Sequence, residues 1–136
     1  MEFDGELTGV VGPRTEVPFS QLWPAMVDKI RHPERYLKGV EKVECKDNED
    51  GSIYREMTLS SGVTMKEDIY AFEDKARIEF RVVDKPFNVI NAYHSDKGAI
   101  EYVVESKQGK VLGWMKGGRE GTLEAIKGQY EKAKEM

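Results

Sequence analysis

The sequence is poor in cysteine and histidine, has no excess of positive charge and contains no long apolar run. Its single cysteine, Cys45, excludes an internal disulfide and a cysteine-rich zinc site. Its two histidines, His32 and His94, lack the spacing of a metal site, so we expect no metal and no other cofactor. Lys and Arg number 21 against 25 Asp and Glu, and the net charge of −4 argues against nucleic-acid binding. No apolar stretch approaches the roughly 18–20 residues that span a bilayer, so we expect no membrane partner.

The remaining composition is that of an ordinary soluble domain. The chain has 136 residues, of which 39% are hydrophobic and 34% charged, and this predicts one domain over residues 1–136. Its acidic N-terminus has neither the basic nor the apolar region of a secretory signal. We therefore expect a cytoplasmic protein, either a monomer or a weak homodimer. Composition alone indicates no activity.

Turn-forming residues divide the middle of the chain at intervals of roughly 10–13 residues, which is typical of an antiparallel meander. Between the turns apolar and polar side chains alternate, which predicts strands with one buried and one solvent-exposed face. Together with one strand at the start of the chain, the pattern predicts a seven-stranded antiparallel sheet, with strands at residues 2–11, 40–46, 53–59, 63–71, 76–82, 87–93 and 100–105.

Two segments have the periodicity of amphipathic helices. The first is predicted to begin at Ser20 or Gln21, with Pro24 in its first turn, and to end at His32; a second short helix follows over residues 34–38. The apolar stripe of the first helix consists of Leu22, Trp23, Met26, Val27 and Ile30. The last helix, over residues 114–135, is long enough to cross the sheet at about 1.5 Å per residue. Its apolar arc consists of Met115, Leu123, Ile126, Tyr130 and Ala133.

This order of elements resembles the α+β helix-grip fold of the START and birch-pollen-allergen (SRPBCC) superfamily. Residues 17–23 (VPFSQLW), 31–37 (RHPERYL) and 40–45 (VEKVEC) resemble the opening of the AtaL-like branch, which has a Gln-x-Trp helix, an Arg-Asp-Pro turn and a Glu-containing strand. Residues 54–59 (YREMTL) and 65–69 (MKEDI) resemble two later strands of that branch. His32 departs from the pattern, since an Asp is usual there.

The resemblance implies a ligand class rather than a reaction. Members of this superfamily bind apolar or amphipathic small molecules between the sheet and the C-terminal helix, and the AtaL-like branch is largely uncharacterised. The resemblance therefore implies a curved seven-stranded sheet, two short helices after the first strand and a long C-terminal helix that closes a cavity.

A charge pair on the inner face of the sheet is the most informative feature of the sequence. If Ser60-Ser61-Gly62 forms a three-residue hairpin loop, Arg55 lies opposite Glu67, and Met57 lies opposite Met65. Two charges among apolar neighbours have two interpretations. They form either a polar anchor at the base of a ligand cavity or a structural cross-strand ion pair, because an unpaired buried charge is costly.

Further inward side chains complete the candidate binding site. Asn91, Tyr93 and Tyr102 are either hydrogen-bonding groups for a ligand or ordinary core residues. No residue is assigned a catalytic role. The predicted ligand-binding set consists of Arg55, Met57, Met65, Glu67, Ile69, Phe80, Asn91, Tyr93, Tyr102, Leu123, Ile126 and Tyr130.

Small residues follow one strip of the last helix. Gly118, Gly121, Ala125 and Gly128 recur at helical spacing, and the glycines weaken the start of the helix. One interpretation is that the strip leaves volume for a cavity and that a weak first turn gates entry to it. The other is that the helix packs closely on the sheet or begins late, near Thr122; both interpretations remain open.

Binding of a small apolar or amphipathic molecule is the function that the sequence favours. A polyketide cyclase or dehydratase on the same scaffold is the alternative, with Tyr102, Arg55 and Glu67 as acid–base and polarising groups. The chain lacks a His–Asp or paired-carboxylate arrangement, and this favours binding over catalysis. A co-chaperone or interaction module is a second alternative, but it requires an exposed apolar face where the outward residues are mostly charged.

Overall fold

A computed structural model describes residues 2–136. It confirms an α+β fold in which an open antiparallel sheet carries a C-terminal helix across one face. None of the helices in residues 2–136 is long and apolar enough to cross a membrane. The elements in chain order are β1 (Val10–Val11), α1 (Phe19–Arg31), a 3₁₀ turn (Pro33–Arg35), β2 (Val40–Asp47), β3 (Ile53–Leu59), β4 (Thr64–Phe72), a second 3₁₀ turn (Glu73–Lys75), β5 (Arg77–Val82), β6 (Phe87–His94), β7 (Ala99–Ser106), β8 (Val111–Gly113) and α2 (Arg119–Ala133).

The sheet is a meander whose register matches the sequence pattern. The strands lie in the order β1-β7-β6-β5-β4-β3-β2, and β8 also pairs with β7. Arg55 lies opposite Glu67 and Met57 lies opposite Met65, as predicted, and Tyr93 lies opposite Ile100. The hairpin between β3 and β4 turns at Gly62, whose φ of 90° requires the left-handed region that glycine adopts freely. Register in the sheet is therefore set by the alternation of apolar residues together with this turn.

The first predicted strand is much shorter than expected. Only Val10 and Val11 pair with β7, while Phe3 forms an isolated bridge with Met115. Gly5, with a φ of 83°, interrupts the extended backbone between these two pairings. The N-terminal segment instead pairs with the residues that follow β8. Strand β8 itself was not predicted, because it has only three residues.

Three predicted helix boundaries are wrong. Helix α1 begins at Phe19, so Pro24 lies inside it, where the proline removes one backbone hydrogen bond. The short helix predicted over residues 34–38 is a single 3₁₀ turn. Helix α2 begins at Arg119 rather than at residue 114, because the preceding residues bridge to the N-terminal segment and Gly117 has a φ of 76°.

The buried side of α1 also differs from its predicted stripe. Val27 is 36% exposed, whereas Ala25 and Lys29 are buried. The buried positions are thus Leu22, Trp23, Ala25, Met26, Lys29 and Ile30, which follow the spacing of one helix face. This correction places a lysine on the interior surface of the fold.

Candidate functional site

A cavity of about 610 Å³ lies between the inner face of the sheet and the first half of α2. Its size is in the range of pockets that bind small organic molecules. Its walls are mainly apolar, and several of its polar side chains lie deep inside. It is lined by Lys29, Leu37, Lys38, Arg55, Met57, Leu59, Val63, Met65, Glu67, Phe80, Val89, Asn91, Tyr102, Trp114, Met115, Gly118, Gly121, Thr122, Glu124 and Ala125.

The lining residues define an open mouth and a closed end. Val63, at the tip of the β3–β4 hairpin, is 52% exposed, and Lys38, Gly121 and Glu124 are exposed as well. These residues surround the mouth, between the hairpin and the start of α2. The buried lining residues Lys29, Arg55, Glu67, Asn91 and Tyr102 form the closed end.

Arg55 is held by four hydrogen bonds. Its Nε and Nη2 donate to Oε1 of Glu67 at 3.0 and 2.8 Å. Its Nη1 donates to the backbone carbonyls of Ile30, at 2.9 Å, and Lys29, at 3.3 Å. These carbonyls belong to the last turn of α1, where backbone acceptors lack helical partners and a cation is favourable. The geometry therefore favours the structural interpretation of the pair: Arg55 ties β3 and β4 to the end of α1.

Lys29 is in the opposite situation, because it is buried without an anionic partner. It is 5% exposed, and no salt bridge or side-chain hydrogen bond involves its Nζ among residues 2–136. Nζ lies 4.3 Å from the ring centroid of Tyr102 and 5.0 Å from that of Phe80. Burial, and secondarily the charge of Arg55, lowers the pKa of Lys29 from 10.5 to about 7. The charge of Glu67 opposes this lowering, and the faces of the two aromatic rings also attract the ammonium.

Asn91 is a second buried group without a partner. It is fully buried, and neither its Oδ1 nor its Nδ2 has a hydrogen bond within residues 2–136. The neighbouring Tyr102 donates its hydroxyl to Oε1 of Gln129 at 2.6 Å, and Nε2 of Gln129 is left unpaired. Burial raises the pKa of Tyr102, so its hydroxyl remains a donor at neutral pH. Since unpaired buried polar groups are unfavourable, Asn91 is available to a molecule in the cavity.

The structure brings seven of the twelve predicted site residues to the cavity. These are Arg55, Met57, Met65, Glu67, Phe80, Asn91 and Tyr102. They were found because strand alternation identifies every second residue of a sheet face. That any of the twelve contacts a ligand stays a prediction.

The other five predicted residues lie away from the cavity walls. Ile69 and Ile126 are packed in the core, and Leu123 is half-buried against it. Tyr93 packs against the ring of Phe19 at a centroid distance of 5.5 Å. The hydroxyl of Tyr130 donates to the carbonyl of Pro13 and accepts from the amide of Ile100. The physical reason is that α1 and the segment after β1 fill this half of the interior.

Among the lining residues outside the predicted set, Lys29 is the one that is both buried and charged. A signal for it existed: Lys29 lies seven residues after Leu22 and three after Met26, positions that share one helix face. Including Val27 in the stripe obscured this signal. The alternation of Cys45 with Val43 predicts an inward thiol, but Cys45 is exposed on the edge strand β2. Among residues 2–136, no three His, Cys, Asp or Glu side chains cluster as metal ligands.

The strip of small residues on α2 borders the cavity. A Cβ at Gly121 would meet no atom within 4 Å, and the same is true at Gly128, which lies outside the cavity. Gly118 is tighter, because a Cβ there would lie 3.2 Å from Nε1 of Trp114. Gly121 and Ala125 thus leave the volume of the cavity unfilled, while close packing applies only to Gly118.

Comparisons with known proteins agree with this architecture. The family model described as "AtaL: Acetylaranotin biosynthesis cluster protein L" matches residues 10–115. No curated protein matches the chain.

Several solved structures share the fold, among them the following two. TTHA0849 from Thermus thermophilus superposes with a TM-score of 0.58 at 15% identity, over 93% of this chain and 94% of that one. The di-domain ARO/CYC StfQ from the steffimycin biosynthetic pathway superposes with a TM-score of 0.58 at 10% identity, over 95% of this chain and 52% of that one. The chain therefore corresponds in length to about half of the di-domain protein. At these identities the similarity concerns the fold alone.

Proposed function

The chain belongs to the AtaL family, and we propose that it binds a small apolar or amphipathic molecule in the cavity between the sheet and α2. The observation that carries this proposal is the cavity of about 610 Å³, with apolar walls and buried polar groups at one end. Ligand pockets commonly combine such apolar walls with a few polar groups that orient the ligand.

The distribution of the lining residues supports a ligand with one polar end. Met57, Met65 and Val89 form apolar wall between the exposed mouth and the buried polar groups. Methionine side chains adapt to ligands of different shape. A molecule with an apolar body and a single polar group would place that group deep in the cavity and its body toward the mouth.

The matched glycines of α2 provide the test. In Gly121→Leu a side chain enters the cavity, whereas in Gly128→Leu it enters open space outside the cavity. Both replacements favour the helix by up to about 1 kcal/mol, so loss of binding cannot be attributed to unfolding. We expect the neutral fluorescent probe N-phenyl-1-naphthylamine to bind the wild type, to bind Gly121→Leu about tenfold more weakly, and to bind Gly128→Leu unchanged. The proposal is contradicted if the probe does not bind the wild type, or if it binds all three proteins equally.

Cyclase chemistry on the same scaffold is the second candidate function. Two observations favour it: the fold is shared with a protein described as an ARO/CYC, and the pKa of the buried Lys29 is lowered to about 7. An amine with such a pKa can accept or donate a proton near neutral pH. Conversion of a bound poly-β-keto thioester by the wild type, abolished in Lys29→Met, distinguishes this function from binding alone.

An interaction module is supported less well. The outer face of the sheet carries an ion-pair network in which Arg77 contacts Glu79 and Glu105, and Arg81 contacts Glu79. Such a face lacks the continuous apolar patch that a protein partner of this kind would cover.

A further inference from the structure

We propose that the closed end of the cavity binds an acidic group of the ligand, a carboxylate or a similar organic anion, with Lys29 as its counter-ion. This inference rests on the proposed function and adds the chemical class of the head group.

The balance of buried charge supports an anion. Arg55 and Glu67 neutralise each other through a salt bridge of 2.8 Å. A protonated Lys29 therefore adds one positive charge, and no salt bridge within 4.0 Å joins it to a carboxylate of residues 2–136, although the charge of Glu67 favours the ammonium from farther away. Charges inside proteins are normally paired, because the cost of removing them from water is otherwise not offset. An anion supplied by the ligand completes the pairing that the protein itself leaves open.

A second donor lies beside Lys29. Its Nζ is held over the rings of Phe80 on β5 and Tyr102 on β7. Strand β6 runs between these two strands, and Asn91 on β6 pairs directly with Tyr102. The Asn91 amide faces the same cavity and has no partner within residues 2–136. A carboxylate has two oxygens, and here one can accept from the ammonium of Lys29 and the other from Nδ2 of Asn91.

Arg55 does not compete for this role. Its four hydrogen bonds to Glu67 and to the end of α1 already use most of its donors. The mouth offers no preference for an anion either, because Lys38 and Glu124 have opposite charges and are exposed to screening by salt. Lys29 is thus the buried cation of the cavity that has no salt bridge within residues 2–136.

Protonation of Lys29 should then be linked to binding. The charged or titratable groups that face it are Arg55 from β3, Glu67 from β4 and Tyr102 from β7, with Lys38 and Glu124 at the mouth. The pKa of about 7 means that most of the amine is neutral at pH 8 in the empty cavity. A bound carboxylate favours the ammonium and raises this pKa, so binding at pH 8 should take up most of one proton.

Isothermal titration calorimetry with decanoate and decan-1-ol, below their aggregation limits, tests the inference. These probes share a ten-carbon chain and differ in the charge of the head group. We expect the wild type to prefer decanoate at pH 7 by about tenfold, and Lys29→Met to lose this preference while it still binds decan-1-ol. Lys38→Met, which removes the exposed lysine at the mouth, should keep the preference. Titrations at pH 8 in two buffers of different ionisation enthalpy should show proton uptake for decanoate and none for decan-1-ol.

The outcomes separate this inference from the function on which it rests. Equal affinity of the wild type for both probes, or a preference that survives in Lys29→Met, overturns the role of Lys29 and leaves cavity binding intact. A preference lost in Lys38→Met but kept in Lys29→Met also overturns it and moves the charge contact to the mouth. If decanoate, decan-1-ol and the naphthylamine probe all fail to bind the wild type, the proposed function fails and the inference fails with it.

Discussion

The two halves of α2 face the same sheet, yet one half borders a cavity and the other borders a filled core. The first half presents Gly118, Gly121 and Ala125 to an open volume of about 610 Å³. The second half presents Ile126 and Tyr130, which pack against the segment that follows β1. The size of the side chains on one helix therefore decides where the interior of this fold is empty.

The two halves also differ in how their polar groups are satisfied. In the filled half the Tyr130 hydroxyl accepts from the Ile100 amide and donates to the Pro13 carbonyl. Around the cavity, Lys29 lacks an anionic partner, and Asn91 has no hydrogen bond within residues 2–136. Violations of ordinary packing rules tend to collect at functional sites. Here Lys29 and Asn91 lie at the cavity, and only Nε2 of Gln129, whose Oε1 accepts from Tyr102, is an unpaired side-chain group of the filled half within residues 2–136.

The largest expected effect comes from replacing Lys29 with an apolar residue of similar length. Its pKa is about 7 in the folded protein and 10.5 when unfolded, so the unfolded chain binds more protons between these values. The free energy of unfolding therefore rises with pH across this window. Burial of the protonated lysine destabilises the fold most below pH 7. We expect Lys29→Met to stabilise the protein by up to about 5 kcal/mol at pH 6, and by about 2 kcal/mol at pH 9.

Urea denaturation of both proteins at pH 6 and pH 9 measures this difference. Lys38→Met, at an exposed position, serves as the control and should change the free energy of unfolding little at either pH. A gain in Lys29→Met that is equal at the two pH values would show that packing, not charge burial, is responsible.

The packed interior beside the second half of α2 should not accommodate larger side chains. A Cβ at Gly12 would lie 2.5 Å from Cγ2 of Ile126 and 2.6 Å from the hydroxyl of Tyr130. We expect Gly12→Val to lower the free energy of unfolding by about 3 kcal/mol, because a packed core cannot absorb the extra atoms. Gly121→Val, in the cavity half, should stay within about 0.5 kcal/mol of the wild type. Chemical denaturation compares the two variants, and similar losses in both would contradict the division of α2 into halves.

The smallest of these effects concerns one hydroxyl group. Tyr130→Phe leaves the buried Ile100 amide without its acceptor, and we expect a loss of about 1–2 kcal/mol in thermal denaturation. Tyr70→Phe removes a hydroxyl that donates to Asp50 at the surface, and should change stability by less than about 0.5 kcal/mol. If both variants lose the same amount, burial does not distinguish the two hydroxyl groups.

The prediction from sequence was most accurate where the pattern is local. Strand alternation and the Gly62 turn placed Arg55 opposite Glu67 and identified Asn91 and Tyr102 as inward residues. The prediction was least accurate where segments far apart in the sequence pair with each other. The N-terminal segment bridges to Met115 and thereby displaces the start of α2, and no local pattern encodes that contact.

By itself the sequence determined the order of the strands, their register and the side of the sheet that is buried, because these follow from a two-residue period and a tight turn. Only the tertiary structure decided which buried residues enclose space and which fill it. Lys29, Asn91 and Tyr130 are all buried, but only the Tyr130 hydroxyl bonds to backbone groups of distant segments, whereas Asn91 has no hydrogen bond within residues 2–136. Whether a buried polar group has a hydrogen-bond partner depends on how the helices pack against the sheet. Beside Lys29 and Asn91 this packing leaves a cavity.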